Sequence, residues 1–222
     1  MKKDLQHDWA VPGTRTGPIR IAGVGNNSGN SAADEVVDDD HVDGSVTRVS
    51  VSAFNAMSVA DLLSTYDVLT ITWNSSSSLD VDWDTRLKPF LEGGGGVLYE
   101  DPNNASDLSA ILSTTSCSGS SSQNLTVTVP GLTDGVKSAS DLGTSSVANN
   151  HFCATSWASW LSPFLEIPGS GTTGLYGTFG GGRMIITGPD QNFHSHATGS
   201  PTDKNQFQLL INSLKWAGRL VG

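Results

Sequence analysis

Charge is scarce in this chain of 222 residues, and positive charge is scarcer still. There are 12 Lys and Arg against 22 Asp and Glu, giving a formal charge of -10 with only 15% charged residues. A surface of that sign repels phosphate backbones and anionic membranes, which argues against nucleic acid as a partner. No apolar run approaches the roughly 20 residues that span a bilayer, and Lys2 and Lys3 lead into polar residues instead of an apolar secretory core. The expectation is therefore no membrane insertion. Cysteine is nearly absent: Cys117 and Cys153 are the only two, and both fall where apolar periodicity is weakest. Paired in an oxidising compartment, they would stabilise the fold by about 3 to 4 kcal/mol on the chain-entropy view. The alternative is two buried free thiols.

What the chain does have is 25 Gly, 36% hydrophobic residues and abundant Ser, Thr and Asn, the composition of a folded domain with a neutral polar surface. Its length suits one large domain better than two small ones. Residues 1–17 hold Pro12, Gly13 and Gly17 without apolar period and read as an extended arm or the end of a linker. Residues 18–222 are expected to form one domain with an irregular insertion at about 104–173. Serine runs at 75–78 and 118–122, with few lysines, point to a secreted or surface-displayed protein whose leader is not in this chain. Asn-x-Ser/Thr sequons begin at Asn26, Asn74, Asn104 and Asn124, as they readily do in so Ser/Thr-rich a chain.

Apolar periodicity predicts a strand over Ile19 to Val24, running into the glycine-rich stretch from Gly25 to Gly29, then an acidic helix over Ala32 to Asp40. Alternation predicts a strand over Ser45 to Phe54, and Ser58 is placed to cap a helix over Val59 to Thr65 with Asp61 at its positive end. The next strand, around Val68 to Thr72, is apolar enough to be buried on both faces. Trp83, Leu87, Phe90 and Leu91 recur at helical spacing, which predicts a helix over Val81 to Glu92 ended by the run Gly93 to Gly96, before a strand at Val97 to Tyr99. Within the insertion, Asp107 to Leu112 reads as a helix and Leu125 to Val129 as a strand, while Trp157 to Leu165 fits no single element. Gly174 to Phe179 and Arg183 to Thr187 read as a hairpin, and Phe207, Leu210, Leu214 and Ala217 mark a closing helix stopped by Gly218. Strand and helix alternation implies an open, mostly parallel, doubly wound α/β sheet with ligands beyond the carboxyl ends of its strands.

Four stretches, in order, resemble the class I glutamine amidotransferase superfamily of flavodoxin-like α/β proteins, on its branch of trehalose-utilisation-type and uncharacterised bacterial surface proteins. They are Tyr66-Asp67-Val68-Leu69, Leu91-Glu92-Gly93-Gly94-Gly95-Gly96-Val97-Leu98, Gly182-Arg183-Met184-Ile185-Ile186-Thr187-Gly188, and the helix from Asn205-Gln206-Phe207 to Leu214-Lys215-Trp216. The resemblance implies a nucleophilic cysteine in the turn after the strand that follows the glycine run. Here that place holds Asp101, in Tyr99-Glu100-Asp101-Pro102. A carboxylate does not form the thioester of glutaminase chemistry, and Pro102 removes an amide that would serve an oxyanion hole. The family histidine has a loose counterpart in Gln191-Asn192-Phe193-His194-Ser195-His196, with His194 in the histidine place and His196 in that of the following glutamate.

Three functional readings follow. The first is a noncatalytic binding or structural module exposed outside the cell, part of a larger surface assembly. The second is a carbohydrate-directed hydrolase or isomerase in which Glu100 or Asp101 works with His194. The third is a self-assembling surface subunit. No cofactor is expected; a divalent metal has candidate ligands in Asp101, His194 and His196, and the acidic run Asp38 to Asp43 lacks the ligand spacing of a helix-loop-helix calcium site. Sugar binding would draw on Asn26, Asn27 and Asn103 as polar contacts and Trp73 as a stacking face. Trp157, if it faces the crevice, is a second such stacking face, whereas Trp83, Trp160, Tyr99 and Tyr176 are more readily core.

Overall fold

The computed structural model describes residues 14–25, 32–72, 79–100, 105–115, 123–137, 142 and 152–221. Five strands form its parallel centre: β1 (Ile19–Gly25), β2 (Gly44–Val49), β3 (Val68–Thr72), β4 (Gly96–Glu100) and β10 (Gly182–Thr187), in the spatial order β2-β1-β3-β4-β10. Beyond β10 the sheet continues antiparallel through β9 (Gly171–Phe179), β7 (Cys153–Trp157) and β5 (Leu112–Thr115), while β8 (Leu161–Ile167) pairs with β9 and carries the two-residue β6 (Asn124–Leu125). This is the open α/β sheet with an irregular insertion that the sequence predicts. β3, β4 and β10 are buried along their whole length, as strands covered on both faces must be.

Helices cover the two faces. On one lie α2 (Val51–Ala56), α3 (Val59–Thr65) and α4 (Lys88–Glu92), whose Phe54, Leu62, Phe90 and Leu91 pack on Leu69, Ile71, Val97 and Tyr99. On the other, Val36 of α1 (Ala32–Asp38) and Leu210 and Leu214 of α6 (Pro201–Ala217) meet Ile19, Ile21, Val68, Leu98 and Ile185. A four-residue helix, α5 (Gln191–His194), sits between α1 and α6. Capping boxes start α3 and α6: the Ser58 and Ser200 side chains accept from the Asp61 and Asp203 amides, and each aspartate accepts from the serine's own amide.

Several local expectations change. The strand expected over Ser45 to Phe54 ends at Val49, because Ser50 accepts from the Ala53 amide and starts α2, which buries Phe54. The helix expected over Val81 to Glu92 begins at Trp83 with a π-helical turn, Trp83–Leu87, capped by Asp82, and Pro89 lies just past the join between that turn and α4. Only Ala105–Leu108 forms a helical turn where Asp107 to Leu112 was expected, and β5 follows. Past β6 the alternating Val and Thr residues bend into a turn, in which the Thr133 hydroxyl binds both the amide and the carbonyl of Val129. Trp157 ends β7 and Leu161 begins β8, so the aromatic-rich segment is a strand reversal.

The glycine run does more than stop α4. Gly94 takes φ +93°, a conformation open to glycine. Gly96 lets β4 approach the end of α6 so closely that a methyl group there would overlap the Ala217 carbonyl oxygen. Gly96→Ala is therefore expected to lower stability by about 1–3 kcal/mol; an unchanged urea midpoint would contradict this packing.

At the opposite end of the sheet from the strand carboxyl ends, Asp67 gathers the start of β3, the end of the N-terminal segment and β1. Its carboxylate accepts from Arg20 Nε at 3.0 Å, Arg20 Nη2 at 2.9 Å and the Arg20 amide at 2.8 Å, and pairs with Arg15 at 2.5 Å. Burial alone would raise this carboxyl, but the bonds from Arg20 and then Arg15 outweigh it and hold it down to about 2. A carboxyl lowered in the folded state stabilises above its unfolded value near 4 and loses that contribution as pH falls toward its folded value. Asp67→Asn is expected to cost about 1–3 kcal/mol near neutral pH. The gap between wild type and variant should close between about pH 4 and pH 2; a gap that stays constant down to pH 2 would contradict the assignment.

Candidate functional site

The parallel order reverses at β1, which is flanked by β2 and β3, so the ligand crevice of such a sheet opens at the carboxyl ends of β1 and β3. In register there, Thr72 of β3 lies beside Glu100 of β4, and Glu100 beside Thr187 of β10. All three are buried. Equivalent register puts their side chains on one face of the sheet, the face covered by α1, α5 and α6, since Leu98, two residues before Glu100, packs there.

Glu100 lies beneath α5 and is bonded to it. Its two carboxyl oxygens accept from the Asn192 amide at 3.2 and 3.3 Å. The surroundings orient the Gln191 side chain with its nitrogen toward the acid, donating to Glu100 Oε1 at 2.6 Å and to the Thr187 hydroxyl and the Pro189 carbonyl at 3.1 Å. Thr187 donates in turn to the Pro189 carbonyl at 2.9 Å. Asn192 passes the connection onward, its side-chain oxygen accepting from the Ala33 amide of α1 at 2.8 Å. The strand-end acid, α5 and the start of α1 thus form one buried polar network. Beside it the Thr72 hydroxyl is buried with no hydrogen-bond partner among the described residues.

His196 is carried away from this acid. Its Nδ1 lies 2.7 Å from Glu35 Oε2 of α1, and the other Glu35 oxygen accepts from the Ala197 amide at 3.0 Å, tying the α5–α6 connection to α1 at a half-exposed position. The position expected for a family glutamate therefore holds a histidine engaged with a glutamate from a different element. Asp101, Asn103, Asn26, Asn27, Trp73 and Cys117 lie outside the described residues, as does the side chain of His194. Cys153, on β7, is buried beside Ile167 and Gly171 and is disulfide-bonded. Among the described residues no cysteine is free, and no group of three or more His, Cys, Asp and Glu is gathered to hold a metal ion.

Several of the described aromatics pack on one another, and Trp157 is partly buried against the core. Trp83 and Trp160 stack at 5.6 Å and 17°, and Phe179 meets both rings at 5.4 and 5.2 Å. Gly177 makes room for Trp160 against β9. Tyr176 sits edge-on to Phe164 and Trp216, and Tyr99 is fully buried.

The signals that sequence reasoning missed are Gln191 and Asn192. They stood inside the segment aligned with the family histidine, but their role depends on reaching an acid 92 residues away. Glu35, in an acidic helix without a motif, carried no signal at all.

No family model and no curated protein matches this sequence. The structure is similar to that of a cytoplasmic protein of Salmonella typhimurium LT2, with TM-score 0.59 and 11% identity over 91% of this chain and 98% of that one. It is equally similar to a glutamine amidotransferase of Thermotoga maritima, with TM-score 0.59 and 8% identity over 91% of this chain and 99% of that one. It also matches part of an exo-beta-1,4-mannosidase of Opitutaceae bacterium strain TAV5, with TM-score 0.55 and 12% identity over 93% of this chain but 36% of that one. With its parallel β2-β1-β3-β4-β10 centre, this chain shares the open α/β fold of that glutamine amidotransferase, and among the described residues no cysteine is free.

Proposed function

We propose that this protein is a noncatalytic binding or structural module displayed outside the cell, built on an amidotransferase fold that has lost its chemistry. The observation that carries the reading is the environment of Glu100. A general acid or base must reach a reacting group directly or through one water, whereas this carboxyl lies beneath α5 and accepts from the Asn192 amide and the Gln191 side chain. The neighbouring Asp101 replaces the thiol, and Pro102 removes an amide of the turn.

Binding is favoured over a purely structural role by the Thr72 hydroxyl, a buried group with no hydrogen-bond partner among the described residues, at the strand end where ligands of such sheets sit. A hydroxyl-rich ligand suits a crevice where Thr, Gln and Asn side chains surround an acid, Glu100, that is already bonded to the protein. The similarity to one portion of an exo-beta-1,4-mannosidase is in keeping with a carbohydrate ligand and with a place in a longer protein. The Ser/Thr-rich acidic composition supports the extracellular setting.

The test is turnover. With glutamine or with p-nitrophenyl glycosides the protein is expected to release no ammonia or nitrophenol above buffer; turnover abolished by Glu100→Gln or Asp101→Asn would replace this reading with the enzyme. A companion measurement addresses Glu100 itself. Glu100→Ala should leave the amides of Asn192 and Ala33 open to hydrogen exchange while those of β1 stay protected, and unchanged exchange at Asn192 would show that the acid does not hold α5.

A further inference from the structure

A cavity of about 320 Å³ lies away from the strand ends, between the turn at residues 131–137 and the first two turns of α6, lined by Gly135, Lys137, Pro201, Lys204, Asn205 and Gln208. Its size is at the lower end of the ~300 to 1,000 Å³ typical of small-ligand pockets. Its charge is opposite to that of the protein. Two of the 12 basic residues of a chain with formal charge -10 line it, and neither ammonium has an ion-pair partner among the described residues. One wall is rigid. The buried Asn205 side chain accepts from the Lys137 amide and donates to the Lys137 carbonyl, both at 2.8 Å, so the backbone of one lysine is fixed to the helix that carries the other. Gln208 donates to Asn212 at 2.9 Å, which leaves its own amide oxygen able to accept from a ligand hydroxyl. The acids nearest in sequence are engaged elsewhere, Asp203 with the Ser200 amide and Asp134 with the Gly131 amide.

We infer that this cavity is a binding site for a sugar-sized anion, a carboxylated or phosphorylated monosaccharide, held at its anionic group by Lys137 and Lys204 and at a hydroxyl by Gln208. An overall acidic protein repels such a ligand at long range, so the affinity must come from the two ammonium groups at contact and fall with ionic strength. The site is separate from the crevice of the proposed function, because its lining comes from the 131–137 turn and α6 and not from the strand ends.

The test is calorimetric titration of the full chain with galacturonate, glucose 6-phosphate, glucose and inorganic phosphate. Saturable binding of galacturonate or glucose 6-phosphate is expected, the stronger of the two naming the anionic group, with none for glucose. Lys137→Ala and Lys204→Ala should each weaken it by about tenfold or more, the scale of a lost charge-assisted hydrogen bond. Both lysines are exposed, so the variants should melt with wild type; if either does not, the charge-retaining Lys137→Arg and Lys204→Arg supply the comparison, keeping binding where alanine loses it. No saturable binding of either sugar anion, binding unchanged in both alanine variants, or equal binding of inorganic phosphate (an adventitious ion only) would overturn the inference.

Discussion

A buried acid cannot be left alone. Taking a carboxyl out of water costs several kcal/mol unless donors replace the lost hydration, and Glu100 meets that demand with the Asn192 amide and the Gln191 side chain. Satisfying the acid fixes the short α5 over the end of β4, and α5 through Asn192 fixes the start of α1. The arrangement at the carboxyl ends of the strands therefore follows from one buried side chain. The same bonds hold Glu100 inside the protein, where it is fully buried.

The two ends of the sheet are stabilised by different physics. At the amino end the Asp67 carboxylate gathers two guanidinium groups, and Arg183 lies over the Trp216 ring at 4.9 Å while donating to the Trp216 and Val221 carbonyls. Burial and then the nearby charge of Arg219 lower the Arg183 affinity for its proton. At the carboxyl end the buried centre is Glu100 with amide donors, Arg48 of β2 pairs with Asp34 of α1 nearer the surface, and the Thr72 hydroxyl has no hydrogen-bond partner among the described residues. Charge pairing at Asp67 holds one end; a buried network around Glu100 holds the other.

Much of this was legible in the residues. The serine caps of α3 and α6, the fully buried β3 and the hairpin of β9 and β10 each follow from a local rule that tertiary contacts did not override. Where alternation misled, a side-chain bond decided against it: Ser50 turned Val51 to Phe54 into a helix, and Thr133 bent the chain at Val129. The candidate site was half legible. The aspartate at the expected nucleophile place and the interest of Glu100 came from sequence order, whereas the partners of Glu100 and of His196 are more than 90 residues distant. Gln191 and Asn192 stood inside the stretch matched to the family histidine without showing which acid they would reach, and Glu35 belongs to no motif.

The account stands on the Glu100 carboxyl being committed inside the protein. Carbodiimide labelling of carboxyl groups on the native chain, read residue by residue by mass spectrometry, measures that commitment directly. Asp38, Asp39 and Asp84 on the surface should label readily while Glu100 stays unmodified until the protein unfolds. Labelling of Glu100 at the rate of those surface acids would contradict the account and return the strand end to the enzymes.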